Sequence, residues 1–236
     1  MKKGIVLKIS GEALAGANGI GIDHAKVLEI AKEIKELYEV GGIELSVVVG
    51  AGNIFRGRDA IKVGMNRSNA DYMGMLATIL NALSIQSALE SLGLDTRVMT
   101  SLSIPQVAEP YIRRKALSHL EKDRVIIFGG GNGIPFFSTD TTAALRAAEL
   151  GASLILMAKN GVDGVYSDDP RTNPNAKKYS KITYDDIIIK GLKVMDTASC
   201  ALCKQNSIPI VVFDFAAKGS IIKILKGEDL GTYVGG

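Results

Sequence analysis

Short apolar runs alternate with longer segments of helical periodicity along the 236 residues. Residues 5–9, 45–49, 96–99, 125–128, 154–157 and 210–213 are short, mostly apolar and continuous rather than alternating, and most are rich in β-branched side chains. Such runs suit strands covered on both faces rather than half-exposed ones. Between them the spacing predicts helices over 23–40, 67–92, 110–121, 139–150 and 196–206. Strand–helix alternation implies an α/β fold with a mainly parallel central sheet between two helical layers. Residues 160–180, NGVDGVYSDDPRTNPNAKKYS, break the pattern. Their Asp, Asn, Pro and Gly content reads as loop or hairpin, and loops of that length often carry function. No repeat, low-complexity tract or linker interrupts the chain, so 1–236 reads as one domain.

Composition narrows the function. Hydrophobic residues make up 47%, enough for a sizeable core, and the net charge of +3 is spread along the chain. That balance argues for neither a nucleic-acid nor a membrane partner. The apolar stretch after Lys2 and Lys3 stops at Lys8, too short for a signal peptide. No run approaches the roughly 18 apolar residues of a membrane span, and a cytoplasmic location is expected. The two cysteines, Cys200 and Cys203, make no disulfide framework. They form a CxxC inside a predicted helix, with no second pair, and read as inert thiols.

In open α/β sheets ligands bind beyond the carboxyl ends of the strands, so the residues that follow each strand matter most. After the first come Lys8, Ile9, Ser10, Gly11 and Glu12: a cation in an apolar strand, then a hydroxyl and a flexible backbone. Together they could hold a polyphosphate; a solvated strand-end lysine is the alternative. After the second comes GAGNIFRG, residues 50–57, whose glycines admit close approach and whose Arg56 offers a planar fork. After the fourth comes GGGNGIPFFSTD, residues 129–140, leading into a helix that Ser138, Thr139 or Asp140 could cap. After the fifth come Asn160, Tyr166, Asp168 and Asp169; Tyr166 could flank a purine, and Asp169 could bind a ribose hydroxyl or order a lysine. Four glycine-bearing loops beyond four strands point to a nucleotide or another polyanion. Neither GxxxxGK[ST] nor an early GxGxxG occurs. His24 and His119 have no ligand-spaced partners, so no protein metal site is expected.

These strings resemble the amino acid kinase superfamily and, within it, the bacterial-type UMP kinases. The markers are KISGEAL at 8–14, GAGNIFRG at 50–57, MNRSNADYMGMLATILNAL at 65–83, GNGIPFFSTDT at 131–141, DGVYSDDP at 163–170 and LKVMD at 192–196. The resemblance implies a three-layer α/β/α fold, a homohexamer, and one cleft where ATP, carried with Mg²⁺, meets UMP in pyrimidine nucleotide synthesis. By motif position, Lys8, Ile9, Ser10, Gly11, Gly52, Arg56, Asn160, Tyr166 and Asp169 would hold ATP. Ala51, Asp71, Asn132, Gly133, Ile134, Pro135, Phe136, Phe137, Ser138 and Thr139 would hold UMP. Gly16, Ala17, Asn18, Gly19, Ile20 and Gly21 match the segment linked to GTP activation, and UTP would inhibit. Ala51 stands where the family often has glycine, and Asn160 where some members have Thr.

For such a transfer the catalytic set would be Lys8, Arg56, Asp140 and Asp169. The cations would neutralise charge between two anions, and the carboxylates would orient Lys8 or magnesium-bound water rather than remove a proton. The competing readings are a kinase for acetylglutamate, aspartate, glutamate or carbamate on the same scaffold, and a nucleotide sensor without turnover.

Overall fold

A computed structural model of the protein describes residues 2–192, 194–215 and 219–236. Lys193, within the LKVMD run, lies outside the described residues. The first strand, β1 (Lys3–Ile9), is followed by a 3-10 turn (Gly11–Leu14), α1 (His24–Glu39) and β2 (Ile43–Val49). Next come α2 (Gly57–Lys62), α3 (Arg67–Ser91), β3 (Thr96–Thr100), β4 (Glu109–Pro110), α4 (Arg113–Glu121) and β5 (Val125–Gly129). Then follow α5 (Thr139–Leu150), β6 (Leu154–Lys159), β7 (Val165–Tyr166), β8 (Lys178–Tyr179), β9 (Lys181–Ile182) and α6 (Tyr184–Ile189). The chain closes with α7 (Thr197–Gln205), β10 (Ile210–Asp214), α8 (Ser220–Leu225) and β11 (Thr232–Val234).

Nine strands form one sheet in the order β4-β3-β5-β2-β1-β6-β10-β11-β9, with only the β10–β11 pair antiparallel. The helix expected from Pro110 starts at Arg113 instead. Pro110 pairs with Thr100 on edge strand β4, where a missing N–H does least harm. Residues 165–166 and 178–179 form the antiparallel hairpin foreshadowed in the 160–180 stretch.

Two cores flank the sheet. Ile5, Leu7 and Ile9 face the layer of α1, α3 and α8. Val6, Ile155 and Met157 face the layer of α4, α5, α6 and α7. Successive strand side chains alternate faces, so Lys8 shares the face of Val6, and Lys159 that of Met157. Both lysines therefore point toward the α5 side. Among the described residues α3 has the length and apolar content of a membrane span. It is built into the core instead: Ala82, Ile85 and Leu89 are buried between the sheet and α1.

The buried thiols behave as expected of a core. Burial pushes Cys200 up to about 11 and Cys203 up to about 12, which keeps both protonated and weakly nucleophilic.

Candidate active site

At the carboxyl end of the sheet one carboxylate pairs with two lysines. Ser138 caps α5 by accepting from the backbone N–H groups of Asp140 and Thr141. This frees Asp140, in the first turn, from the capping role it could have had. Its Oδ1 lies 2.7 Å from Lys8 Nζ and its Oδ2 3.3 Å from Lys159 Nζ. Lys8 and Asp140 are almost buried, with side chains 9% and 14% exposed. Burial alone would raise the Asp140 carboxyl, but the charges of Lys8 and Lys159 overcome it and hold the group below its usual 3.8. Burial pulls the Lys159 ammonium below its usual 10.5, against the attraction of Asp140.

Lys159 was not singled out in the sequence. The available signal was a lysine closing a parallel strand and followed by Asn-Gly, the same context that drew attention to Lys8. Asp196 was likewise seen only as part of a motif. It caps α7 and accepts hydrogen bonds from the Ser138 and Thr141 hydroxyls, tying the start of α7 to the start of α5.

Two cavities open beside this cluster. One, of about 540 Å³, is lined by Ala51, Gly52, Arg56, Asp71, Gly131, Asn132, Ile134, Phe137, Ser138 and Thr139, among others. The other, of about 590 Å³, is lined by Lys8, Ser10, Lys159, Asn160, Tyr166, Asp169 and Arg171. Glu12 borders both. Gly52 and Arg56, expected with ATP, thus stand with Asp71 in the first cavity; Arg56 also reaches a third cavity beside Asn160, Gly16 and Gly19. The Arg56 guanidinium is 3.1 Å from Glu12 Oε1. Ile9 is fully buried and can offer a ligand only its backbone, whose carbonyl already accepts from Gly50 N–H.

Tight backbone approaches shape the rim. A Cβ on Gly11 would lie 2.6 Å from the Gly50 carbonyl oxygen and 2.7 Å from Gly52 N, so only glycine lets the first two loops touch. Phe136 adopts φ +76°, a costly conformation for a bulky residue. Its N–H donates to Asp71 Oδ2 at 2.8 Å, and Arg67 grips the same carboxylate through Nε. Phe136, Phe137 and Ile134 project apolar side chains into solvent around this cavity. Asn132 Oδ1 is buried without a partner among the described residues, a polar atom whose desolvation a ligand would repay.

Among the described residues Asp169 makes no ion pair with a lysine, although it lines the same cavity as Lys8 and Lys159; its Oδ1 accepts from the Arg171 N–H, closing a local turn. Tyr166 is held by Asp163, which accepts from its hydroxyl at 2.6 Å. Residues 16–21 form turns in which Gly21 exchanges hydrogen bonds with Asn53. Asn53 and Asn81 form a reciprocal buried amide pair, and Asn81 also donates to the Gly50 carbonyl. That pair links the 16–21 segment to the glycine turn, and neither asparagine was singled out in the sequence.

Comparison with known proteins bears on this arrangement. Residues 3–214 match the amino acid kinase family. The chain is 55% identical over 234 residues to a uridylate kinase of Limosilactobacillus reuteri, covering 99% of this chain and 97% of that one. A UMP kinase structure from Bacillus anthracis superposes with TM-score 0.95 at 42% identity, covering 99% of this chain and 96% of that one. One from Ureaplasma parvum gives 0.94 at 39% identity over the whole of both chains.

Proposed function

Because the chain belongs to the amino acid kinase family, we propose that it transfers the γ-phosphoryl group of ATP to UMP, giving ADP and UDP. The observation that carries this reading is the Lys8–Asp140–Lys159 cluster beside two cavities that share Glu12. UMP takes the cavity of Asp71 and the 131–139 run, and ATP that of Ser10, Asn160 and Tyr166. The relatives known as uridylate and UMP kinases support this choice over other acceptors.

Two phosphate-bearing substrates repel each other unless cations stand between them. Lys8 and Lys159, held by one carboxylate, offer two ammonium groups to the transferring phosphoryl group. Asp140 has each oxygen on a lysine and works as their anchor, not as a base. UMP's phosphate is already ionised, so no proton need be removed. Mg²⁺ enters with ATP as part of the donor substrate, bound by its phosphates. Glycine-rich backbone supplies N–H donors without side-chain bulk, and Arg56 neutralises charge on the acceptor side. Asp169 contributes by shaping the turn at the ATP cavity.

ADP release measured with UMP, CMP, dUMP and glutamate tests the reading. Turnover with UMP above the others is expected; turnover with an amino acid and none with UMP would overturn it. In the same assay Asp71→Ala raises KM for UMP more than KM for ATP, since Asp71 lines the acceptor cavity and not that of Ser10 and Asn160, and holds Phe136. Equal rises in both would remove its role in holding UMP.

The finer readings go with this one. GTP activation is supported by the Asn53–Asn81 link between residues 16–21 and the glycine turn, and UTP inhibition goes with the family alone; added GTP that leaves the rate unchanged would end the first. A homohexamer is supported by exposed Met73, Leu76 and Leu80 on α3, an apolar face suited to subunit contact. Light scattering at the mass of a single chain would sink it. One domain of 1–236 is supported by the nine-stranded sheet that both cores share.

A further inference from the structure

A buried arginine lies behind the acceptor cavity. Arg146, midway along α5, has a side chain only 4% exposed. Its guanidinium stacks 3.7 Å from the Tyr111 ring centroid and 5.5 Å from that of Phe128. Nη1 donates to Glu149, which also accepts from the Tyr111 hydroxyl. Nη2 donates to Ser101 Oγ at 2.8 Å, and the Ser101 hydroxyl donates in turn to the Gly131 carbonyl at 2.8 Å. Nε is buried without a partner among the described residues. A buried cation with one N–H unmet is a poor way to add stability, and the contact it makes toward the cavity is Ser101.

The glycine run is pressed against that serine. A Cβ on Gly133 would lie 2.9 Å from the Ser101 carbonyl oxygen and 3.1 Å from its Cβ. The Gly130 N–H is held from the other side by Thr78 Oγ1 at 2.8 Å. The peptide after Gly131 is trans, so its C=O and N–H point in opposite directions. Fixing the Gly131 carbonyl on Ser101 therefore turns the Asn132 N–H away from Ser101. That N–H makes no hydrogen bond among the described residues, and Asn132 lines the acceptor cavity.

We infer that Arg146 and Ser101 are positioning residues for the acceptor: together they pin the Gly131 carbonyl and so present the Asn132 N–H to the acceptor cavity. The inference rests on the proposed transfer to UMP and adds how the glycine run is aimed. Arg146 touches no substrate; it polarises and orients the serine, as linked hydrogen bonds do.

A double-mutant cycle on the full chain tests it. Ser101→Ala, Arg146→Met and the double variant are compared by steady-state kinetics, UMP binding calorimetry and thermal melting. Ser101→Ala raises KM and Kd for UMP about fivefold to tenfold, the scale of one lost hydrogen bond, with KM for ATP within about twofold of wild type. The double variant binds UMP within about twofold of the weaker single variant, because the residues act as one chain. A merely structural role predicts a lowered Tm with unchanged KM for UMP, equal shifts for both substrates, or multiplying effects; each would overturn the inference. Ser101→Ala decides alone if Arg146→Met does not fold. Should the wild type prefer another acceptor, the reading of UMP fails while the cycle still reports on that acceptor's KM.

Discussion

Lys8→Ala lowers kcat by about 10² or more while the protein stays folded. The size follows from what the site keeps: backbone N–H groups and Lys159 remain, but one of two ammonium groups at the transferring phosphoryl group is gone. Removing one preorganised charge-stabilising donor typically costs about 10²–10³ in rate. Folding survives because Asp140, stripped of Lys8, still faces Lys159 at 3.3 Å and remains a paired carboxylate. The effect falls on kcat more than on KM for UMP, since Lys8 lines the ATP cavity and not that of Asp71. Steady-state kinetics with each substrate varied measures both; a wild-type kcat would remove Lys8 from the chemistry.

The same lysine shows what a sequence can and cannot disclose. A cation inside IVLKIS is anomalous on its face, and the rule that ligands gather beyond strand ends makes it a candidate beside the alternative of a solvated strand end. Lys159 obeys the same rule, but the Asp- and Gly-rich residues after it draw the eye to the hairpin. Its sharing of Asp140 with Lys8 requires that β1 and β6 be neighbours, a fact of topology that no local pattern holds. Arg146 and Asn81 were illegible for a related reason. A polar residue in an amphipathic helix looks the same whether it faces water or a buried partner.

The elements follow the same logic. Six central strands are visible because burial on both faces writes long apolar runs. β4 and β9 have two residues each and β11 three, too short to set a period, and their pairing depends on neighbours already placed. The apolar positions of α3 fall on two faces. Met75 and Ile79 are buried, whereas Met73, Leu76 and Leu80 are exposed. A helix of 25 residues with apolar side chains on more than one side cannot say which side meets its own sheet.

Asp140→Ala costs stability as well as activity, and the loss depends on pH. The substitution leaves Lys8 and Lys159 side by side without the carboxylate that pairs with both, their side chains 9% and 22% exposed. Removing one partner from a buried ion pair destabilises by about 3–5 kcal/mol. In the wild type the Asp140 carboxyl is held below 3.8 by the two lysines. Its contribution is therefore complete above 3.8 and is lost as pH falls through the lower folded value. The gap between wild type and variant narrows in that acid window, where Asp140 is protonated in both states of the wild type. Lys159 works from the other side. Burial holds its ammonium below 10.5, and without Asp140 the group falls further. As pH rises toward 10.5 the folded variant sheds that proton while the unfolded chain keeps it, so the variant regains stability and the gap narrows again. Denaturant unfolding at about pH 3, 7 and 10 reads the three regimes. A gap that is the same at all three would mean that Asp140 supports the fold by packing, and that the two lysines never needed its charge.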